Sequence, residues 1–85
     1  MTFTVTWRPG ADYELAVRWV TADSEQRAAI SAALAILEDA LRHRPNHVGE
    51  PNTEAFRIAI APPVTLHYRV READRVVEVL AIHID

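Results

Sequence analysis

The hydrophobic period changes twice along this 85-residue chain, and these changes constrain its fold more than any single motif. Residues 2–7 alternate. Phe3, Val5 and Trp7 fall on one side and Thr2, Thr4 and Thr6 on the other, the period of a half-buried strand. Arg8-Pro9-Gly10 stops the run, and Pro9 suits the first turn of a helix, where a missing N–H goes unused. Ala11, Leu15 and Trp19, with Ala16 and Val20 beside them, then follow helical spacing over about 11–21. A second helix is predicted over about 24–43. Ile30, Leu34, Leu37 and Leu41 form its stripe, widened by Ala33 and Ala40. Asp23 with Gln26 three residues on reads as a capping box, and Arg42, His43 and Arg44 suit the negative end of the helix dipole. So short a connection predicts an antiparallel helical hairpin, and its Ala-rich faces allow close approach.

After a loop over about 45–53 the period returns to two. Phe56, Ile58 and Ile60 alternate with Arg57, Ala59 and Ala61; Pro62-Pro63 breaks the run. Val64, Leu66, Tyr68 and Val70 alternate with Thr65, His67, Arg69 and Arg71. Residues 72–75 form a polar turn, and Val76 to Ile84 is apolar on both sides except at Glu78 and His83. A strand apolar on both faces belongs inside a sheet. The predicted fold is α+β, in the order β-α-α-β-β-β, as one domain over residues 1–85. The helical hairpin covers one face of a four-stranded, mainly antiparallel sheet, with the first strand beside the last.

Composition narrows the function. Nine arginines and no lysine face twelve acids, for a net charge of −3, which weighs against unaided nucleic-acid binding. There is no cysteine, so neither a disulfide nor a thiolate metal site is available. No apolar run approaches the roughly 20 residues of a membrane span, and the first residues do not read as a signal peptide. A cytoplasmic protein, off the membrane, is the expectation. His43, His47 and Glu50 match no metal-ligand spacing; no metal and no cofactor is expected.

Several segments carry a resemblance in order along nearly the whole chain. They are Pro45-Asn46-His47-Val48-Gly49-Glu50, then Phe56-Arg57-Ile58, then Pro63-Val64-Thr65-Leu66-His67-Tyr68-Arg69-Val70, then Asp74-Arg75-Val76-Val77-Glu78-Val79-Leu80. This set resembles the RelE/ParE superfamily of type II toxins, often labelled plasmid stabilisation proteins. The resemblance implies a toxin neutralised by a cognate antitoxin. It also implies one of two targets: mRNA cut on the ribosome, or DNA gyrase. A degenerate, non-catalytic binding domain or homodimer is the competing reading, and whether the chain is an enzyme stays open.

Cleavage of RNA requires a base for the 2′-hydroxyl, cations for the phosphorane and an acid for the leaving oxygen. The candidate catalytic set is Arg57, Arg69 and His83. Much of the family's basic equipment has no counterpart, since lysine is absent and Thr65 stands where an arginine is common. An unbroken four-residue turn places Arg69 opposite Glu78 as an ion pair and His67 opposite Leu80. It also places His83 on the helix-covered face with Val64, Tyr68 and Val79. Tyr68, Trp7 and Trp19 are read as core or packing residues. In that register Val76, Leu80, Ile82 and Ile84 lie on the open face with Arg57, Arg69 and Glu78. Leu80, Ile82 and Ile84 are then the expected partner-binding strip.

Overall fold

A computed structural model describes residues 2–51 and 56–85. Its elements are β1 (Thr4–Trp7), α1 (Pro9–Thr21), α2 (Ser24–His43), β2 (Glu50–Pro51), β3 (Arg57–Ala61), β4 (Val64–Arg71) and β5 (Val76–Ile84). The strand order is β1-β5-β4-β3-β2. β1 runs parallel to β5, and every other pair is antiparallel. The sheet therefore has five strands where four were predicted. The extra one is the two-residue β2, inside the stretch read as loop.

Local chemistry explains the helices. Pro9 opens α1 as anticipated. At α2 the Asp23 carboxylate accepts from the Gln26 N–H at 2.8 Å, and the Gln26 side chain accepts from the Asp23 N–H at 2.9 Å. Two otherwise orphaned donors of the helix start are thus satisfied. α1 lies against β5, whereas α2 reaches across β1, β3, β4 and β5. The two helix backbones do not run in close approach, contrary to the expectation from their alanines; those alanines face the sheet or solvent instead. Where the helices meet, the Arg27 guanidinium donates to the Trp19 carbonyl at 2.9 Å and lies over the Trp19 ring.

The core sits between helices and sheet. Ile30, Ala33, Leu37 and Leu41 from α2 meet Val64, Leu66, Tyr68, Val77, Val79, Ile82 and Ile84 from the sheet. Val77, Val79, Ile82 and Ile84 cannot all face one way along a regular strand, because 79 and 82 differ in parity. A β-bulge resolves this: Tyr68 pairs with Val79 and His67 with Ala81, leaving Leu80 without a partner.

The bulge corrects part of the predicted register. Beyond Leu80 every side chain changes face. Ile82 and Ile84 enter the core at 9 % and 5 % exposure, so they do not form the open-face strip expected of them with Leu80. His83, expected under the helices, lies on the open face instead, opposite Thr65. His67 faces Ala81, not Leu80.

The loop after α2 is fastened to the sheet. The buried Tyr68 hydroxyl donates to the Pro45 carbonyl at 2.8 Å, and the Arg57 guanidinium donates to the Gly49 carbonyl. A Cβ at Gly49 would stand 2.6 Å from both the Ile58 carbonyl oxygen and the Tyr68 hydroxyl. Only a residue without a side chain fits there without displacing β3 or Tyr68. Gly49→Ala is expected to lower stability by about 1–3 kcal/mol, the usual range for overpacking. Urea unfolding of the two proteins checks this; equal midpoints would show that the loop yields freely.

Candidate functional site on the open sheet face

The helix-free face of the sheet is built from the outward positions of its strands. β4 contributes Thr65, His67, Arg69 and Arg71; β5 contributes Val76, Glu78, Ala81 and His83; β3 contributes Ile58 and Ile60, with Phe56 just before it. Partners in register share a face, so three rows can be read. Glu78 lies beside Arg69; Ala81, His67 and Ile58 lie side by side; His83, Thr65 and Ile60 follow.

Arg57 does not belong to this face. It pairs with Tyr68, whose side chain is in the core, so Arg57 emerges on the helix side beneath the loop that it holds through Gly49. The cause is the hairpin: Ala61 pairs with Val64 across Pro62-Pro63, and a two-residue turn fixes the register down to Arg57. Ala59 and Ala61 accordingly face the helices, and Ile58 and Ile60 face out.

The three candidate catalytic residues are therefore not assembled. Arg57 is on one face, with Arg69 and His83 on the other. His83 pairs across from Thr65, four residues along β4 from Arg69, a separation of roughly 13 Å. The His83 ring is 3.1 Å from the Asp85 carboxylate, and its side chain is 69 % exposed.

Arg69 is committed to its neighbour, as the cross-strand reading expected. Its guanidinium donates to Glu78 at 2.6 Å, and the Arg71 guanidinium lies 3.5 Å from the same oxygen. The hydrogen bond from Arg69 is the main reason the Glu78 carboxyl titrates below the usual carboxylate range. The charges of Arg69, Arg71 and Arg8 add to it, against an opposing loss of solvation.

His67 occupies the middle of the face, its ring centroid 6.1 Å from that of Phe56 in a tilted arrangement. The sequence reading weighed His67 but missed the apolar surround of Phe56, Ile58 and Ile60. The signal was present in the paired prolines, which fix the hairpin register and hence which alternate residues of β3 face out. A cavity of about 390 Å³ adjoins this edge between Val48, Gly49, Glu50, Pro51, Ile58 and Ile60. Another, of about 570 Å³, lies away from the face, where Arg18 and Gln26 at the helical turn approach Pro63 and Ile84. Among the described residues no group of three or more metal-ligating side chains converges, and no helix is long and apolar enough to cross a membrane.

No protein-family profile matches the chain, and no curated protein matches it by sequence. Solved structures do match by shape. The toxin–antitoxin complex RelBE2 from Mycobacterium tuberculosis aligns with a TM-score of 0.77 at 19 % identity, covering 100 % of this chain and 93 % of that one. The chromosomal ParDE toxin–antitoxin system from P. aeruginosa aligns at 0.72 and 16 % identity, over 96 % and 95 %. The isolated E. coli RelE toxin aligns at 0.65 and 15 % identity, over 96 % and 83 %. The fold is that of the RelE/ParE toxins, with two helices on one face of a mixed sheet.

The Arg69–Glu78 pair has a testable pH signature. A carboxyl whose folded pKa is depressed adds stability that is fully present above its unfolded pKa and is lost as pH falls through the folded value. Glu78→Gln is therefore expected to destabilise most near neutral pH, with the difference from the parent shrinking as the solution is acidified below the ordinary carboxylate range. Denaturant midpoints measured across pH check this; a difference that stays constant down to strong acid would show that the charge of Glu78 is not responsible.

Proposed function

We propose that this chain is the toxin component of a type II toxin–antitoxin pair, a cytoplasmic domain spanning residues 1–85 that a cognate antitoxin holds inactive. The observation that carries this reading is the RelE/ParE fold over the full chain, shared with chains of toxin–antitoxin complexes at a TM-score as high as 0.77. Its target is translation or DNA gyrase, and fold alone does not choose between them.

Within that reading, the geometry favours action by association over RNA cleavage. An endonuclease site made of Arg57, Arg69 and His83 would require cations converging on one phosphate. Here Arg57 faces away and holds a backbone carbonyl, Arg69 is neutralised by Glu78, and His83 stands roughly 13 Å along the sheet. Leu80 keeps a place in partner binding as a half-buried residue; Ile82 and Ile84 support it only from within the core. A non-catalytic binding domain on this scaffold is favoured by the same ion pair, which engages Arg69, one of the three candidate catalytic residues.

Induced expression with and without a candidate antitoxin frame tests the proposal. Growth arrest relieved by the partner is expected, with mRNA left intact; a supercoiling assay then reports whether gyrase is the target. Arg69→Ala is expected to leave the arrest in place. No arrest in the absence of the partner would overturn the toxin reading. Cleaved mRNA abolished by Arg69→Ala would overturn the preference for association.

A further inference from the structure

The end of the open face formed by β1, β5 and β4 gathers three arginines around one glutamate. Arg69 and Arg71 come from β4. Arg8 follows β1. Thr6 stands beside Glu78 in register, and Arg8 comes two residues later on the same side, its backbone N–H donating to the Val79 carbonyl at 2.9 Å. The Glu78 carboxyl, lowered first by the Arg69 hydrogen bond, is lowered further by the charges of Arg69, Arg71 and Arg8, so all three cations act at one place.

Glu78 is a small anion for this setting. Arg69 and Arg71 both reach its Oε1, at 2.6 and 3.5 Å. A guanidinium and a carboxylate pair best as a fork, through two parallel hydrogen bonds. Here Arg69 donates through Nη2, while its Nε is buried and has no hydrogen-bond partner among the described residues. A buried donor left unsatisfied gains from any ligand that brings more acceptor oxygens. Three cations meet one anion here, in a chain whose net charge is −3. The acid next to Arg71 in sequence, Glu72, is taken up by the Asn46 amide. The Arg71 side chain is 50 % exposed and Arg8 is exposed, so the cluster is open to solvent.

We propose that Arg8, Arg69 and Arg71 form a binding site for a compact oxyanion carrying two or more charges, and that Glu78 closes this site from within. Guanidinium groups suit such a ligand because each presents several N–H donors in a plane, and a multivalent oxyanion brings acceptors that a lone carboxylate lacks. Glu78 both occupies donors of Arg69 and Arg71 and repels an incoming anion. Withdrawing its charge leaves the three cations without a counter-ion, and the site opens. A polynucleotide is disfavoured as the ligand, because the net negative charge of the chain repels its further phosphates. The inference concerns this chain's own residues and is independent of the toxin reading.

Calorimetric titration with pyrophosphate and with citrate, at one ionic strength of about 0.05 M, tests this, with circular dichroism confirming that each variant is folded. Glu78→Gln and Glu78→Ser are each expected to bind at least one of the two probes about tenfold more tightly than the parent. Adding Arg8→Ala or Arg71→Ala to Glu78→Gln is expected to cost about tenfold, whereas adding Arg18→Ala, at the helical turn, is expected to leave the affinity unchanged. The parent offers a check that needs no change at Glu78: about 10 mM pyrophosphate is expected to raise its Tm, and to raise that of Arg71→Ala less. Folded Glu78 variants that bind neither probe better than the parent would overturn the proposal, as would equal Tm shifts in the parent and Arg71→Ala. An equal loss from Arg18→Ala would also overturn it, by marking the binding as general charge attraction. Tighter binding of oligouridylate than of either probe would overturn the compact ligand.

Discussion

One unpaired residue in the central part of the sheet organises the molecule. β5 lies between β1 and β4, and it must deliver Val77 and Val79 to the core at one end and Ile82 and Ile84 at the other. Strand side chains alternate, so a regular strand delivers one pair or the other. The bulge at Leu80 delivers both. Each of these four side chains is nearly or fully buried, and burying such a residue contributes about 1.5–3 kcal/mol. A register that exposed one pair would forfeit several kcal/mol, a large share of the stability of so small a domain.

The same bulge shapes the open face. By turning Ile82 and Ile84 inward it removes a costly apolar strip from solvent and brings Ala81 and His83 out in their place. Before the bulge, β5 keeps Glu78 beside Arg69 on that face; after it, His83 stands beside Thr65. Meanwhile the Pro62-Pro63 hairpin sends Arg57 to the opposite face, where it joins Tyr68 in holding the loop that follows α2. The result is a sheet on which the three candidate residues are separated, with Arg69 paired to Glu78.

Much of this was legible in the residues. The change of period located both helices and the three later strands. Pro9 and the Asp23–Gln26 pair marked the helix starts, and the polar turn at 72–75 correctly placed Arg69 against Glu78. Tyr68 was correctly placed in the core. What escaped was parity. Between Val76 and Ile84 both alternations are apolar, so nothing in the pattern shows where the count slips by one. In β3 the isoleucines invited burial, yet the alanines occupy the core side, because the tight hairpin sets the register and α2 lies over that strand. β2 is too short to leave a periodic trace.

The face assignment beyond Leu80 can be read directly, because the chain has no cysteine to interfere. Single variants Ile82→Cys and His83→Cys, exposed to a thiol reagent under native conditions, report which side chain meets solvent. The bulged register predicts rapid labelling at 83 and protection at 82 until the protein unfolds. Rapid labelling at 82 with protection at 83 would contradict it, and with it the placement of His83 on the open face.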